Sequence, residues 1–342
     1  MKKINLKKII KGVCFVVIFA VLFFNCQKLF QNKWLYSEDA ANATTSTWKE
    51  FEQQEKDSLD VLFIGTSHLL YGIDPMYLYG KTGITSYVIS GPGTRFDLTW
   101  LALEKVLKTQ NPKFVFMDVS GSHYAGQQKE SLIHKSLDEL PLSIGKVEYA
   151  FNSGNGKLTP LEALFPFFRY HSRWSSLRKE DFQYLTGDLE KTFVRGHYIS
   201  DLTEKVEMTF YDEVEYEFSE RNRMYLKRIV DLCEENGIDL ILGKVPSPSW
   251  QKTVSDAVEK EAQDLGVEYW ELFYSMEEIG IDPDVDYSDE DHLNQYGAEK
   301  MTDYMCNYLL EQYEFEDKRG NNEAWDYDYE LYQAHVKEIF SE

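Results

Sequence analysis

The sequence predicts an α/β domain built on a parallel sheet with helices on both faces. Short apolar runs rich in branched residues alternate with stretches of helical periodicity, and Gly or Pro follows most of the runs. Nearly continuous apolar runs are typical of strands that are buried on both faces. The predicted strands are Leu59–Ile64, Ile84–Ile89, Lys113–Asp118, Ile238–Val245 and Val267–Trp270.

The intervening helices are predicted from spacing and end signals. Ser219 is a suitable N-cap and Gly237 a suitable stop for a helix over Ser219–Asn236. The other predicted helices are Phe96–Lys108, Val254–Leu265 and Asn294–Leu310. Strands separated by helices require crossover connections, which favours parallel pairing.

Composition excludes two broad classes of protein. The 342 residues are 43% hydrophobic and 27% charged, a balance that excludes a wholly disordered chain. The net charge is −22, and because the first 30 residues hold six Lys and no acid, the remainder carries 58 acids against 30 bases. Such a body repels nucleic acid, so no nucleic-acid partner is expected.

The N-terminus predicts a membrane anchor. Five Lys lie within residues 1–11, and an apolar run follows to Cys26. Lys in front of an apolar run hold the N-terminus in the cytoplasm, so the rest of the chain is expected outside. A cleaved signal peptide is the alternative, but Phe24-Asn25-Cys26 is a poor cleavage site. We expect an uncleaved single-pass anchor over residues 1–30 and a polar stalk over 31–57.

The remaining chain is predicted to be one domain over residues 58–312, interrupted by an insertion at about 121–218. An acidic, Tyr-rich tail follows over 313–342, with a helix predicted at Glu330–Phe340 within a solvated cover. Cys233 and Cys306 fall in predicted helices and are expected to be two separate buried thiols rather than a pair. No Cys/His cluster indicates a metal, and no cofactor is expected.

Three residues supply the groups of a nucleophilic triad. Ser67 follows the first predicted strand, and Asp289 and His292 lie three residues apart just before the last helix. A serine hydroxyl needs a base to take its proton, and that base works best when a carboxylate orients it. Alone, a Gly-x-Ser turn is more often structural, and Asp289 could be a solvated loop acid. The joint pattern favours catalysis, because ligands bind beyond the carboxyl ends of parallel strands.

Other strand ends supply candidate supporting groups. The backbone N–H of Ser67 and the flexible Gly91 and Gly93 backbone could donate to an oxyanion. His68 is too close to Ser67 in sequence to be its base, so we expect a positioning or substrate contact.

These motifs resemble the SGNH/GDSL hydrolase superfamily. VLFIGTSH resembles its first block with nucleophile Ser67, ISGPG lies where its glycine block lies, and DEDHLNQYG resembles its last block with Asp289 and His292. The resemblance covers about residues 58–125 and 219–312. It implies a flavodoxin-like three-layer α/β/α sandwich and a serine esterase activity.

The resemblance extends to an envelope branch of that superfamily. An anchor, Gly-Thr-Ser-His and His-Leu-Asn-x-x-Gly together resemble the teichoic-acid D-alanylation and alginate O-acetylation proteins. That likeness implies a membrane-bound O-acyltransferase as partner. The chain departs from the superfamily at the third block, which lacks the usual Asn. Ser120 or backbone N–H groups are the available substitutes.

The insertion carries a basic and aromatic cluster that includes Arg169, Arg173 and Trp174. One interpretation is a substrate clamp, with Arg binding phosphate or carboxylate and Trp stacking on sugar. The other is a structural helix whose Arg residues pair with nearby acids and whose Trp is buried.

Two functions of different class follow. The first is an outward-facing serine esterase or O-acyltransferase acting on acyl esters of an envelope glycopolymer. The second is a non-catalytic polymer-binding partner of a membrane acyltransferase, which the missing Asn favours and the complete triad disfavours. A phospholipase- or thioesterase-type hydrolase is a third, weaker alternative.

Overall fold

The structure is a computed structural model that describes residues 6–33, 44–123, 128–153, 158–187, 192–208 and 215–340. The chain divides into two compact units. The first takes its residues from 1–33, 142–152 and 156–190, and the second from 34–141, 153–155 and 191–342.

The helices are α1 Leu6–Phe30, α2 Thr44–Phe51, α3 Ser67–Gly72, α4 Pro75–Thr82, α5 Phe96–Val106, α6 Glu130–Leu137, α7 Ile144–Asn152, α8 Pro160–Leu164, α9 Phe167–Tyr170, α10 Lys179–Thr186, α11 Glu220–Glu235, α12 Lys252–Leu265, α13 Met276–Ile279, α14 Gln295–Gln312 and α15 Glu323–Ile339.

The second unit is built on one parallel sheet. Its strands are β1 Val61–Thr66, β2 Ser86–Gly91, β3 Phe114–Asp118, β4 Asp239–Lys244 and β5 Glu268–Glu271, in the spatial order β2-β1-β3-β4-β5. Every neighbouring pair is parallel. The parallel α/β architecture predicted from the sequence is therefore confirmed.

The first two strands end two residues later than the apolar runs predict. Gly65 pairs with Ser90 and Thr66 with Gly91, so the hydrogen-bond ladder continues through small and polar residues. Hydrophobicity marks only the part of a strand that is buried in apolar surroundings, whereas the ladder needs only backbone groups. As a result, Ser67 directly follows β1 and is the first residue of α3.

Helices cover both faces of the sheet. Alternate residues of a strand point to opposite faces, and Val61, Phe63, Phe114 and Phe116 pack in one core cluster with Met301, Met305 and Leu309 of α14. Helix α5 contacts β1 and helix α11 contacts β4, and these two helices also pack on each other. The result is a three-layer arrangement with α14 in one outer layer and α5 and α11 in the other.

The C-terminal tail packs firmly on the rest of the second unit, whereas the sequence predicts a tail that is mostly solvated. Helix α15 begins seven residues before the predicted helix, and its Trp325 and Tyr332 are buried. The Tyr332 hydroxyl donates to Asp74 Oδ2 over 2.6 Å, and Gln295 Nε2 donates to the same oxygen over 2.9 Å. Asp74 is the N-cap of α4, so one buried carboxylate joins α4, α14 and α15.

The first unit consists of α1 and most of the insertion. Helix α1 is long and apolar enough to cross a membrane, and the side chains of its apolar window are exposed. The C-terminal part of α1 packs against the insertion through Phe23, which contacts Phe165, Phe167 and Phe168.

Cys233 and Cys306 are both free and buried. Burial raises the pKa of each thiol to about 12, so neither is a thiolate at neutral pH. The expectation of two separate buried thiols agrees with this arrangement.

We predict that Tyr332→Phe destabilises the protein. Burial, followed by the charge of Asp74, raises the pKa of Tyr332, so the hydroxyl keeps the proton that it donates. Removing this donor leaves a buried carboxylate short of one partner and should lower the free energy of unfolding by about 1–3 kcal/mol. Urea unfolding of the full chain in detergent measures the change. The control is Tyr327→Phe, because Tyr327 is exposed on the same helix; equal losses in both variants would contradict the prediction.

Candidate active site

Ser67 is positioned by the junction between β1 and α3. Thr66 ends β1 in extended geometry and is the N-cap of α3, its side chain accepting from the His68 N–H. Gly65, with φ of 153°, lets β1 approach β3, because a Cβ there would lie 2.8 Å from the Asp118 Cβ. The first N–H groups of a helix have no acceptor within it, so the Ser67 N–H is free of the helix ladder.

His292 lies on the loop between α13 and α14, and this loop reaches the carboxyl end of β1. Its Nε2 lies 2.8 Å from Ser67 Oγ, across 225 positions of sequence. Its ring stacks on Tyr71, with centroids 4.6 Å apart. The loop is closed by Ser288 N–H donating to the His292 carbonyl, and it ends at Asn294, the N-cap of α14.

Asp289 completes the arrangement on the far side of the imidazole. His292 Nδ1 lies 3.0 Å from each Asp289 carboxylate oxygen. Asp289 Oδ1 also accepts the backbone N–H groups of Asp291 and His292. Because a carboxylate accepts only, Nδ1 carries the proton and Nε2 presents its lone pair to the Ser67 hydroxyl.

The charge of Asp289 is secured by these contacts. Partial burial works against the charged form, but the hydrogen bond and charge of His292 and two backbone N–H groups outweigh it and hold the pKa of Asp289 below its ordinary value. The carboxylate is therefore ionised across the physiological pH range, where it can stabilise an imidazolium.

A second polar network surrounds Asp118 and His68, next to Ser67. The Asp118 carboxylate accepts from Thr66 N–H, Thr66 Oγ1 and Ser120 Oγ. Both hydroxyl oxygens lie near His68 Nδ1, at 3.1 Å for Thr66 and 3.2 Å for Ser120. This network fixes the ring of the buried His68 against the end of β3.

The other edge of His68 faces Asp291. His68 Nε2 lies 3.3 Å from Asp291 Oδ2, and Ser247 Oγ donates to Asp291 Oδ1. Burial opposes the charge of Asp291, but His68, Lys244 and Ser247 outweigh it, so its pKa is held far below the usual range. Burial, then the charge of Lys244, lowers the pKa of His68, and the nearby acids offset this only in part.

The groups predicted to bind an oxyanion differ in whether their protons are already engaged in hydrogen bonds. Gly91 ends β2 opposite Thr66, and Gly93 follows in a turn with φ of 60°. Both glycines therefore lie at the carboxyl ends of the strands, as Ser67 does. The Ser120 hydroxyl donates to Asp118 Oδ1 over 2.8 Å, which commits its only proton. Backbone N–H groups are therefore better placed than Ser120 to serve an oxyanion.

The residues of the predicted clamp belong to the first unit, whereas the triad belongs to the second. Arg173 donates to the carbonyl oxygens of Phe30 and Gln31 and pairs with Asp181. That pairing fits the structural interpretation, but Trp174 is exposed rather than buried. A clamp role for Arg169 and Trp174 stays a prediction.

Sequence reasoning assigned no role to Asp291 or Tyr71, and it gave Lys244 only a place at a strand end, in a loop that could form a cleft wall. Lys244 and Asp118 are the last residues of β4 and β3. Because ligands bind beyond the carboxyl ends of parallel strands, the sequence alone could have marked both residues as candidates. Asp291 carried no signal beyond its place between Asp289 and His292, since its partners His68 and Ser247 are distant in sequence.

No protein-family model and no curated protein matches the chain. Solved structures that match it include one designated provisionally as a lipolytic protein of the G-D-S-L family from Desulfitobacterium hafniense, with 13% identity, a TM-score of 0.37, and coverage of 73% of this chain and 98% of the other. A provisional acylhydrolase from Bacteroides fragilis matches at 11% identity and a TM-score of 0.36, covering 80% and 99% of the two chains. A provisional GDSL-like lipase from Parabacteroides merdae matches at 9% identity and a TM-score of 0.35, covering 75% and 98%. At these TM-scores the fold class rests on the observed sheet rather than on the likenesses.

We predict that His123 makes the stability of the protein pH-dependent. The His123 ring stacks on the buried Trp250, with ring centroids 4.9 Å apart. The water lost on that face, with a smaller effect of Lys244, lowers the pKa of His123 to about 4, although the residue is exposed on its other side and solvent there reduces the effect of the shift on stability. The unfolded chain, with a His pKa of about 6.5, takes up the proton first. The contribution of neutral His123 is therefore complete above about pH 6.5 and is lost as the pH falls toward about 4.

Urea unfolding between pH 7 and pH 4.5 measures this effect. The free energy of unfolding should fall more steeply in the wild type than in His123→Gln. His335→Gln is the control, because the exposed His335 ring lies on α15, whereas the His123 ring stacks on Trp250. A slope in His123→Gln as steep as that of the wild type would contradict the assignment.

Proposed function

We propose that this protein is an SGNH-type serine esterase or O-acyltransferase, anchored in a membrane and acting on acyl esters of a cell-envelope glycopolymer. The observation that carries the proposal is the continuous chain from Ser67 Oγ through His292 to the Asp289 carboxylate, with contacts of 2.8 Å and 3.0 Å. This is the order of groups that a serine nucleophile requires.

The reaction proceeds through an acyl-enzyme. Ser67 Oγ attacks the ester carbonyl carbon while its proton passes to His292 Nε2, and a tetrahedral intermediate forms. His292 returns the proton to the leaving alcohol as the carbon–oxygen bond breaks. An acceptor hydroxyl, or water, then gives its proton to His292 and attacks the acyl group, which frees Ser67. Asp289 stabilises the imidazolium in both halves.

The oxyanion is assigned to backbone donors. The Ser67 N–H at the start of α3 and the backbone of the Gly91–Gly93 turn flank the same strand edge. Donors that are held in place before the reaction supply much of the stabilisation of such a transition state. The usual third-block Asn is replaced by Asp118 and Ser120, which support His68 instead.

Location and partner extend the proposal. Helix α1 supports a single-pass anchor, and the N-terminal Lys residues support a cytoplasmic N-terminus. The catalytic unit would then lie outside the membrane, where a membrane-bound O-acyltransferase could supply or receive the acyl group. Hydrolysis and transfer use the same triad, so the acceptor decides between them.

The alternative is a non-catalytic partner that presents polymer to an acyltransferase. The absence of the usual Asn favours it. The hydrogen-bonded triad disfavours it, because an inactive site has no need to hold an ionised Asp289 against His292.

We predict that Ser67 is labelled by a fluorophosphonate probe. Ser67→Ala should abolish labelling, and Asp289→Asn should lower kcat for p-nitrophenyl acetate by about 10⁴-fold, because the imidazole loses its orienting carboxylate. Gel fluorescence and initial rates measure the two effects. Ser131→Ala, an exposed serine on α6, is the matched control and should behave as wild type.

Two outcomes would count against the proposal. Full labelling of Ser67→Ala would show that another residue is the nucleophile. A wild-type protein that neither labels nor releases acetate, yet binds polymer, would establish the accessory function instead.

A further inference from the structure

Three potential ligand atoms converge beside Ser67. These are His68 Nε2, His292 Nε2 and a carboxylate oxygen of Asp291, and all lie within 4.8 Å of one another. We propose that they form a binding site for a divalent transition-metal ion of the zinc type, and that metal binding withdraws His292 from Ser67.

The surroundings of His68 determine which of its nitrogens is free. Thr66 Oγ1 and Ser120 Oγ each donate their single proton to Asp118. Toward His68 both hydroxyls can therefore only accept, so the Nδ1 atom, at 3.1 Å and 3.2 Å from them, must be the donor. In the neutral imidazole the lone pair then resides on Nε2.

That lone pair faces another acceptor. His68 Nε2 lies 3.3 Å from Asp291 Oδ2 and has no hydrogen-bond partner, although the residue is only 9% exposed. Two acceptors that face each other in a buried setting are unfavourable unless a cation lies between them. Asp291 Oδ1 is occupied by Ser247 Oγ and the Ser249 N–H, which leaves Oδ2 for the cation.

His292 is prepared for the same role. Asp289 accepts from its Nδ1, which fixes Nε2 as the atom with the lone pair. A carboxylate behind a ligating imidazole is a common support of zinc-bound histidine. Two imidazoles and a carboxylate suit Zn²⁺, Cu²⁺ or Ni²⁺ rather than Mg²⁺ or Ca²⁺.

The spacing requires a modest movement. Ligand atoms around tetrahedral zinc lie roughly 3.3 Å apart, as follows from bonds of about 2.0–2.1 Å. The pair of His68 and Asp291 already has this separation. Any wider pair in the group has to close by at most about 1.5 Å. Rotation of the His292 side chain, which is partly exposed to solvent, can supply this movement.

Binding can be tested independently of catalysis. Metal-free full-length protein in detergent is titrated with Zn²⁺ by calorimetry, and with Co²⁺ by visible absorption. We expect one Zn²⁺ per chain and the strong Co²⁺ bands of a tetrahedral site. Affinity should fall at least tenfold in His68→Gln and in His292→Gln. It should persist in Ser67→Ala, which lacks the nucleophile, and in His171→Gln, whose exposed imidazole lies in the other unit.

The functional consequence rests on the proposed function. Zn²⁺ should inhibit ester hydrolysis reversibly, with recovery on addition of EDTA, whereas Mg²⁺ should have no effect. The metal site is overturned if Zn²⁺ fails to bind the wild type, or if His68→Gln and His292→Gln bind it as well as the wild type does. Zn²⁺ binding by a protein that cleaves no ester would instead reject the esterase and leave the site in place.

An independent inference concerns the first unit, where the insertion packs along the end of α1. Besides the Phe23 contacts, the Phe167 N–H donates to Gln27 Oε1 over 2.6 Å. Arg173 donates to the carbonyl oxygens of Phe30 and Gln31 at the C-terminal end of α1. We call residues 142–152 and 158–187 the collar. Through α9 and α10 this segment packs against the C-terminal third of α1.

The depth of this collar follows from helix geometry. A hydrocarbon core about 30 Å thick takes about 20 helical residues. Counted from Ile9, where the apolar run begins, the core ends near Lys28. Phe23 then lies about 8 Å inside the hydrocarbon. Its partners Phe165, Phe167 and Phe168, at the start of α9 and just before it, would lie at a similar depth.

The collar exposes large apolar side chains of its own. Ile144 is 89% exposed, Trp174 73% and Phe151 68%. Exposed apolar side chains that continue an apolar spanning helix fit a lipid surface, and Trp is enriched at the membrane interface. With the orientation of α1 proposed above, we infer that the collar is embedded in the outer leaflet of the bilayer, from the headgroups to the upper part of the hydrocarbon.

Quenching by brominated lipids tests this inference. The full chain carrying Ser67→Ala is reconstituted in phosphatidylcholine vesicles brominated at shallow or deep acyl positions. Replacing Trp174 by Phe should remove a component that is quenched mainly by the shallow bromines. Trp270→Phe is the control, since Trp270 packs on Phe116 in the second unit. If Trp174→Phe leaves the quenched fraction unchanged, this face is covered by water or protein, and the inference is wrong.

Discussion

The carboxylate of Asp118 is the constraint on which the site depends. It accepts three hydrogen bonds at the end of β3, from the backbone and hydroxyl of Thr66 and from the hydroxyl of Ser120. These bonds fix the last residue of β1, and therefore the direction in which Ser67 leaves the sheet. Gly65 makes the approach sterically feasible. A single buried charge thus aligns two strand ends, the start of α3 and the ring of His68.

The opposite half of the site is held from the far end of the chain. Asp74 binds Gln295 at the start of α14 and Tyr332 in α15, while α14 itself begins three residues after His292. The tail therefore stabilises the helix that follows the loop carrying Asp289 and His292. Because a rigid loop end restricts where His292 can lie, packing remote from Ser67 contributes to the geometry of the triad.

Much of the sheet could be predicted because buried parallel strands are nearly continuous in apolar residues. The strand ends could not, since pairing of Gly65 with Ser90 depends on the backbone rather than on hydrophobicity. Ser67, Asp289 and His292 were recognisable as strand-end and pre-helix groups, and the structure brings them together. The contact of His68 with Asp291 depends on the conformation of a loop, which spacing does not encode. The packing of Phe23 on the insertion joins residues some 140 positions apart, and no local pattern specifies it.

The 225 positions that separate Ser67 from His292 have a consequence for biosynthesis. Synthesis at about 5–20 residues per second separates the appearance of the two groups by about 10–45 s. During that interval Ser67 lacks the imidazole that lies 2.8 Å from its hydroxyl in the folded chain. The contact between Ser67 and His292 therefore forms only after the loop before α14 has been synthesised and has docked at the end of β1.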